Sequence, residues 1–140
     1  MADMVNHPPH YTGHKIFSRE CIEYTRSMNF TFGNAFKYLY RQGQKFNAQE
    51  DIDKAIWYIN DELTYDNDPR EIPIFTIMEM EKDLYEYAQQ QGVDLENEDI
   101  LEVEDKDIII GFIMLEISMK NFYNPLHRER LKKLIEKLKD

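Results

Sequence analysis

One cysteine is all that this chain of 140 residues carries. Cys21 has no intrachain partner, which excludes a disulfide framework and points to a reducing compartment. Long apolar runs are missing as well. The longest, IIIGFIML at 108–115, is well short of the roughly 20 residues that cross a bilayer. The opening MADMVNHPPH has no apolar run, so no signal peptide is expected there, and the protein is expected to be cytoplasmic and without a membrane partner. Positive charge is scarce: 17 Lys and Arg stand against 27 Asp and Glu, a net of −10. That deficit argues against general nucleic-acid binding, which rests on neutralising phosphates. The motifs GxxxxGKS/T, GxGxxG and HExxH are also absent, so a conventional phosphate-loop kinase is excluded at the level of motif.

What is present describes a folded chain. Hydrophobic residues make up 42% and aromatics 13%, too much apolar surface for a disordered polymer. The charge is uneven. Residues 1–62 carry a net of −1, residues 66–107 a net of −12 and residues 124–140 a net of +3. A local anion site in the first segment is compatible with that distribution. The acidic middle is a candidate docking surface for a basic host protein.

Periodicity and caps predict an all-α fold, a compact bundle of about six helices behind an extended N-terminal arm. Residues 1–17 read as the arm, because HPPHYTGHK is rich in helix breakers. Ser18 is a candidate cap for a helix to about Ser27, and Thr31 for a second, FGNAFKYLYRQGQK. Asn47 with Glu50 resembles a capping box opening a third helix, 48–65, whose Ile52, Ala55, Ile56 and Ile59 share a face. YDNDPREIP, 65–73, is the best boundary, giving a segment 1–65 and an acidic helical extension 66–140 packed on it. Residues 1–62 alone are expected to be too small for a stable core. A helix from Ile74 should stop near Gly92. The stretch 93–107 reads as loop with a short helix. Asp107–Phe122 reads as a buried helix with Ile108, Phe112, Leu115 and Met119 in a stripe, although a strand at 108–114 competes. Asn124-Pro125 should open a last, basic helix.

Two places suggest chemistry. Lys37, Arg41 and Lys45, spaced i, i+4 and i+8, would form a row of cations about 6 Å apart on a helix, flanked by Asn34 and Tyr38. Such a row can grip phosphates. It can equally be a solvated face paired to acids such as Glu50 and Asp51. The arm places His7 and His10 on either side of Pro-Pro, where an imidazole can meet a phosphate, a base or a proton. A terminal arm whose histidines are merely polar is the plainer reading. His7, His10, His14 and Cys21 are possible zinc ligands, but their spacing matches no standard zinc motif. Trp57 and Tyr58 on the third helix offer either a core aromatic or a surface for stacking. The acidic clusters EMEKD and EVEDKD are candidate magnesium ligands or solvated faces.

Together NHPPHY, ECIEY, GNAFKYLYRQGQK and EDIDKAIWYI, in this order over residues 5–62, resemble the phage-encoded nucleotide-kinase-like family, also called SaV-like. The family includes a coliphage kinase that lacks a phosphate loop. The resemblance implies an arm carrying His7, His10 and Tyr11, and a helix carrying Gly33, Asn34, Lys37, Tyr38 and Arg41. It also implies a following basic residue, Lys45, and a helix carrying Asp51, Lys54, Trp57 and Tyr58. The TGHKIFSR segment is longer than the family's turn, and residues 63–140 match nothing in it. The function implied is phosphoryl transfer to a (deoxy)nucleoside monophosphate in the cytoplasm of an infected bacterium. His10 or Asp51 would handle the proton, and His7, Tyr11, Asn34, Lys37, Tyr38, Arg41, Lys45, Lys54 and Trp57 would hold the nucleotide. No resident metal or cofactor is firmly implied, beyond Mg2+ accompanying a nucleoside triphosphate. A non-catalytic nucleotide binder acting against host defence, or an acidic interaction module, are the alternatives. A homo-oligomer is compatible with each.

Overall fold

The computed structural model of the chain describes residues 9–44, 47–65, 72–119 and 124–139. Its regular structure is all-α, with no strand among the described residues. Among the described residues seven helices occur where about six are expected, because part of the arm is itself helical. Backbone contacts divide the chain into two compact units, residues 1–72 and 73–140.

The first unit holds α1 (Pro9–Thr12), α2 (Cys21–Thr25), α3 (Phe30–Arg41) and α4 (Ala48–Tyr65). The expected extended arm is corrected over residues 9–12, which make one helical turn with proline in its first position, where a missing N–H costs nothing. α2 does not start from Ser18. Its N-cap is Glu20, whose backbone N–H donates to Glu23 Oε2 at 2.9 Å. α3 opens two residues earlier than expected. Asn29 Oδ1, not Thr31, accepts from the Phe32 N–H at 2.9 Å, and the Asn29 side-chain amide donates to the buried Glu62 of α4. α3 stops at Arg41. Gly43 then takes φ +79°, a left-handed conformation that glycine adopts without strain. α4 spans the expected residues, with Asn47 Oδ1 accepting from the N–H groups of Gln49 and Glu50. Links from Asn29 to Glu62 and from Arg41 to Asp51 tie opposite ends of α3 and α4, so the two run antiparallel. Phe32, Ala35, Phe36 and Leu39 of α3 and Ile52, Ala55, Ile56 and Ile59 of α4 are buried. Each large apolar side chain removed from water contributes about 1.5–3 kcal/mol.

The second unit holds α5 (Ile74–Gln90), a 3-10 turn (Ile100–Glu102), α6 (Lys106–Ser118) and α7 (Pro125–Leu138). α5 buries Ile77, Met80, Leu84 and Ala88 at helical spacing and ends at Gln90, after which Gly92 takes φ +84° and the Val93 N–H returns to the Ala88 carbonyl. α6 settles the helix-or-strand question in favour of helix. The expected stripe is corrected: residues 108–111 and 113–118 are all buried, and Phe112 is among the less covered positions. α7 starts as expected, with Asn124 Oδ1 accepting from the Leu126 N–H at 2.9 Å and Pro125 in the first turn. Lys137 Nζ donates to the carbonyls of Leu101 and Val103, fastening the 3-10 turn to α7. Glu116, the one charged residue in the buried run of α6, is matched by Arg130 of α7, which also lies over the Phe112 ring. Helix–helix packing thus absorbs a charge that the apolar pattern alone would exclude.

Candidate functional site

The antiparallel α3–α4 pair gathers three cations around one tyrosine ring. Lys37 Nζ lies 4.5 Å from the centre of the Tyr38 ring, Arg41 Cζ 4.8 Å and Lys54 Nζ 5.4 Å. Lys37 and Arg41 flank Tyr38 on α3, while Lys54 arrives from α4. The negative face of an aromatic ring attracts each cation. Two of the three have carboxylate partners. Arg41 meets Asp51 at 3.2 Å, and Lys54 meets Glu50 at 3.1 Å in an exposed pair. Lys37 has no ion pair among the described residues.

The aromatic surface continues from this hub. Tyr58 stacks on Tyr38, with ring centres 6.0 Å apart and planes 15° from parallel. Trp57 and Phe30 each set an edge against Tyr58, at 5.2 and 6.4 Å. Trp57 is 63% exposed and Phe30 is 78% exposed. Of the two readings of Trp57, the structure gives the surface one. Phe30 escapes sequence reasoning, although its eight-residue spacing from Tyr38, two helical turns, would have placed it on the same side of α3.

Arg41 is not a free phosphate hook. It is buried, with Nη1 donating to Tyr11 Oη at 3.1 Å and Nη2 to Asp51 Oδ1 at 3.2 Å. Burial opposes its charge, but the Tyr11 hydroxyl and the Asp51 carboxylate outweigh that, and the Arg41 pKa moves up. Asp51 is only 1% exposed. Arg41 Nε and Asp51 Oδ2 are buried with no hydrogen-bonding partner among the described residues. The basic residue paired to an acid on the next helix is therefore found, but inside the unit and not on a solvated face. The three-step row on one helix is corrected too, because α3 ends at Arg41 before Lys45. His7 and Lys45 lie outside the described residues.

The remaining candidates are placed as follows. Tyr11 joins the cluster through Arg41, and the half-buried His10 ring sits 4.2 Å from the Tyr11 ring. Asn34 lies on α3, and its amide donates to the Phe30 carbonyl at 2.8 Å. His14 is a turn builder: its Nδ1 accepts from the N–H groups of Ile16 and Phe17, and its ring stacks on Phe17. Cys21 is buried, which pushes its thiol up to about 12 against the lowering pull of Lys37. Among the described residues no group of three His, Cys, Asp or Glu side chains is placed to hold a metal ion.

Residues 5–60 match a family described as a protein of unknown function (DUF3310). The match covers 56 of the 140 residues, all in the first unit. It contains every residue of the cluster from Tyr11 to Tyr58. No curated protein and no solved structure matches the chain.

Proposed function

We propose that the first unit binds a nucleotide on the α3–α4 face. The base stacks on the Trp57, Tyr58 and Tyr38 surface, the phosphates are drawn to Lys37 and Lys54, and Arg41 stands behind them as a fixed positive charge. The observation that carries this reading is the convergence of three cations on the Tyr38 ring beside an exposed tryptophan. Asp51 and Glu50 offset two of these charges, and Lys37 has no ion pair among the described residues, so an incoming anion supplies the counter-charge that the cluster lacks. An aromatic left in water recovers apolar burial when a base covers it, worth about 1–3 kcal/mol per stacked base. A purely apolar docking patch would use the aromatics and leave Lys37 without a counter-charge.

The resemblance to nucleotide-kinase-like proteins asks for more, namely phosphoryl transfer from a nucleoside triphosphate with Mg2+. A general base must reach the acceptor hydroxyl. Asp51 is buried and held by Arg41, so the arrangement supports binding over transfer. His10 is the remaining candidate for handling a proton. In the phage setting that the resemblance implies, a binder of this kind would withdraw a nucleotide from host defence. A thermal-shift screen of nucleoside mono-, di- and triphosphates tests the reading. A ligand at a hundred times its dissociation constant adds about 2.7 kcal/mol, a clear rise in melting temperature. No shift with any nucleotide overturns it. Transfer of labelled phosphate from a nucleoside triphosphate to a monophosphate would restore the catalytic version.

A further inference from the structure

The second unit carries an unused helix face. α5 spends one side on its core through Ile77, Met80, Leu84 and Ala88. On its remaining surface Ile74, Phe75 and Met78 are left exposed, Phe75 at 81%. After Gly92 the chain brings residues 93–96 back beside α5, leaving a groove of about 450 Å³ whose apolar lining includes Met78, Leu95 and the Tyr85 ring.

The charged lining is unequal. Asp94 is occupied within its own turn, accepting from the Glu96 N–H at 3.1 Å and from Asn97 Nδ2 at 2.6 Å. Glu86 lies 4.0 Å from Lys82. Glu81 and Glu96 have no ion pair among the described residues, and both act on Tyr85. Burial first, then these two carboxylates, raise the pKa of the Tyr85 hydroxyl, while Arg130 lowers it. An aromatic ring sharing the groove with two carboxylates that have no ion pair among the described residues, continued by exposed apolar side chains, has a definite complement.

We propose that this groove docks an arginine-bearing amphipathic segment of a partner protein. A guanidinium can stack on Tyr85 while its fork meets Glu81 and Glu96, which a point-charge ammonium does less well. Apolar residues of the same segment cover Met78, Phe75 and Ile74. A free polyamine would satisfy the carboxylates and leave that apolar surface wet. The stretch from Ile74 to Gln89 runs for roughly 22 Å at the helical rise, the length of a four-turn helix. A second copy of this chain fits less well, since two exposed lysines of its basic helix α7, Lys132 and Lys139, already pair with Glu129 and Glu136. The inference stands apart from the nucleotide reading: it concerns the other unit and a ligand of opposite charge.

The test uses the full chain and a fluorescein-labelled 14-residue helical peptide of alanine, with arginine and leucine at helical spacing on one face. Fluorescence anisotropy reads affinity at physiological salt. Glu81→Gln/Glu96→Gln should weaken binding by about tenfold or more, the loss of two charge-assisted contacts. Phe75→Ser/Met78→Ser should weaken it severalfold. Glu102→Gln/Glu104→Gln removes the same charge elsewhere on the unit and should leave affinity within about twofold. All six positions are exposed, so the fold should survive each change. Three results would overturn the proposal: no binding to the wild type, an equal loss in the groove and control pairs, or no effect of the apolar pair. A dimer in sedimentation equilibrium that excludes the peptide and is dissociated by Glu81→Gln/Glu96→Gln would put a second copy in the groove and also overturn it.

Discussion

At the scale of the residue, the Arg41–Asp51 pair decides how the first unit behaves under mutation. Each partner is buried, and each leaves one polar atom without a hydrogen bond among the described residues, so neither tolerates losing the other. Arg41→Ala should destabilise the chain by about 3–5 kcal/mol in urea titration, because it strands the Asp51 carboxylate. The double change Arg41→Met/Asp51→Leu should recover most of that loss, since nothing charged remains inside. A mild effect of Arg41→Ala alone would mean that water reaches the pair. Cys21 gives a second prediction. Its thiol pKa rises from 9.0 to about 12 on folding, so the folded state holds the proton more tightly than the unfolded chain. The stability it contributes is complete below pH 9 and is lost as pH climbs from 9 towards 12. Iodoacetamide at pH 8 should therefore label Cys21 in urea and spare it in the native protein. Labelling at equal rates would contradict its burial.

At the scale of the element, Gly43 is the stop that shapes the site. Its φ of +79° disfavours any side chain, and among the described residues a Cβ there would meet Ala48 Cβ at 3.4 Å. Gly43→Ala should cost about 1 kcal/mol in chemical denaturation. Gly13→Ala, with open space and no positive φ, should be near neutral. Gln, Lys and Arg suit a helix, so RQGQK looks like a continuation of α3, and one glycine does not announce its own conformation. That turn ends α3 at Arg41, before the third position of the expected row, Lys45, which lies outside the described residues. α4 was legible because its cap and its four buried positions repeat at one period. The start of α3 was missed by two residues because Asn29 and Thr31 are both good caps. α6 hid its packing because it is apolar on all sides, and a helix without a polar face has no stripe to read. Lys37, Tyr38 and Arg41 were legible as neighbours on one helix. The approach of Lys54 depends on how α3 and α4 pack, and the burial of Arg41 runs against the ordinary preference of charge for water.

At the scale of the whole chain, two compact units differ in charge. Residues 1–72 carry a net of −3 and residues 73–140 a net of −7. The first unit has its own buried helix pair, so a fragment of residues 1–72 should melt cooperatively with a helical circular-dichroism signal, contrary to what the size of residues 1–62 suggests. A featureless melt would show that its core needs the rest of the chain. The central claim, a nucleotide held by the α3–α4 face, is most directly tested by calorimetric titration of the full chain. The titrant is the nucleotide that gives the largest thermal shift, run against wild type, Trp57→Ala and Lys37→Ala/Lys54→Ala. These side chains are exposed or half-buried, so the variants should keep wild-type helicity. Each should lose about tenfold or more in affinity, from the stacked base in one case and the charge-assisted phosphate contacts in the other. Unchanged affinity in both variants, at normal helicity, would contradict the claim.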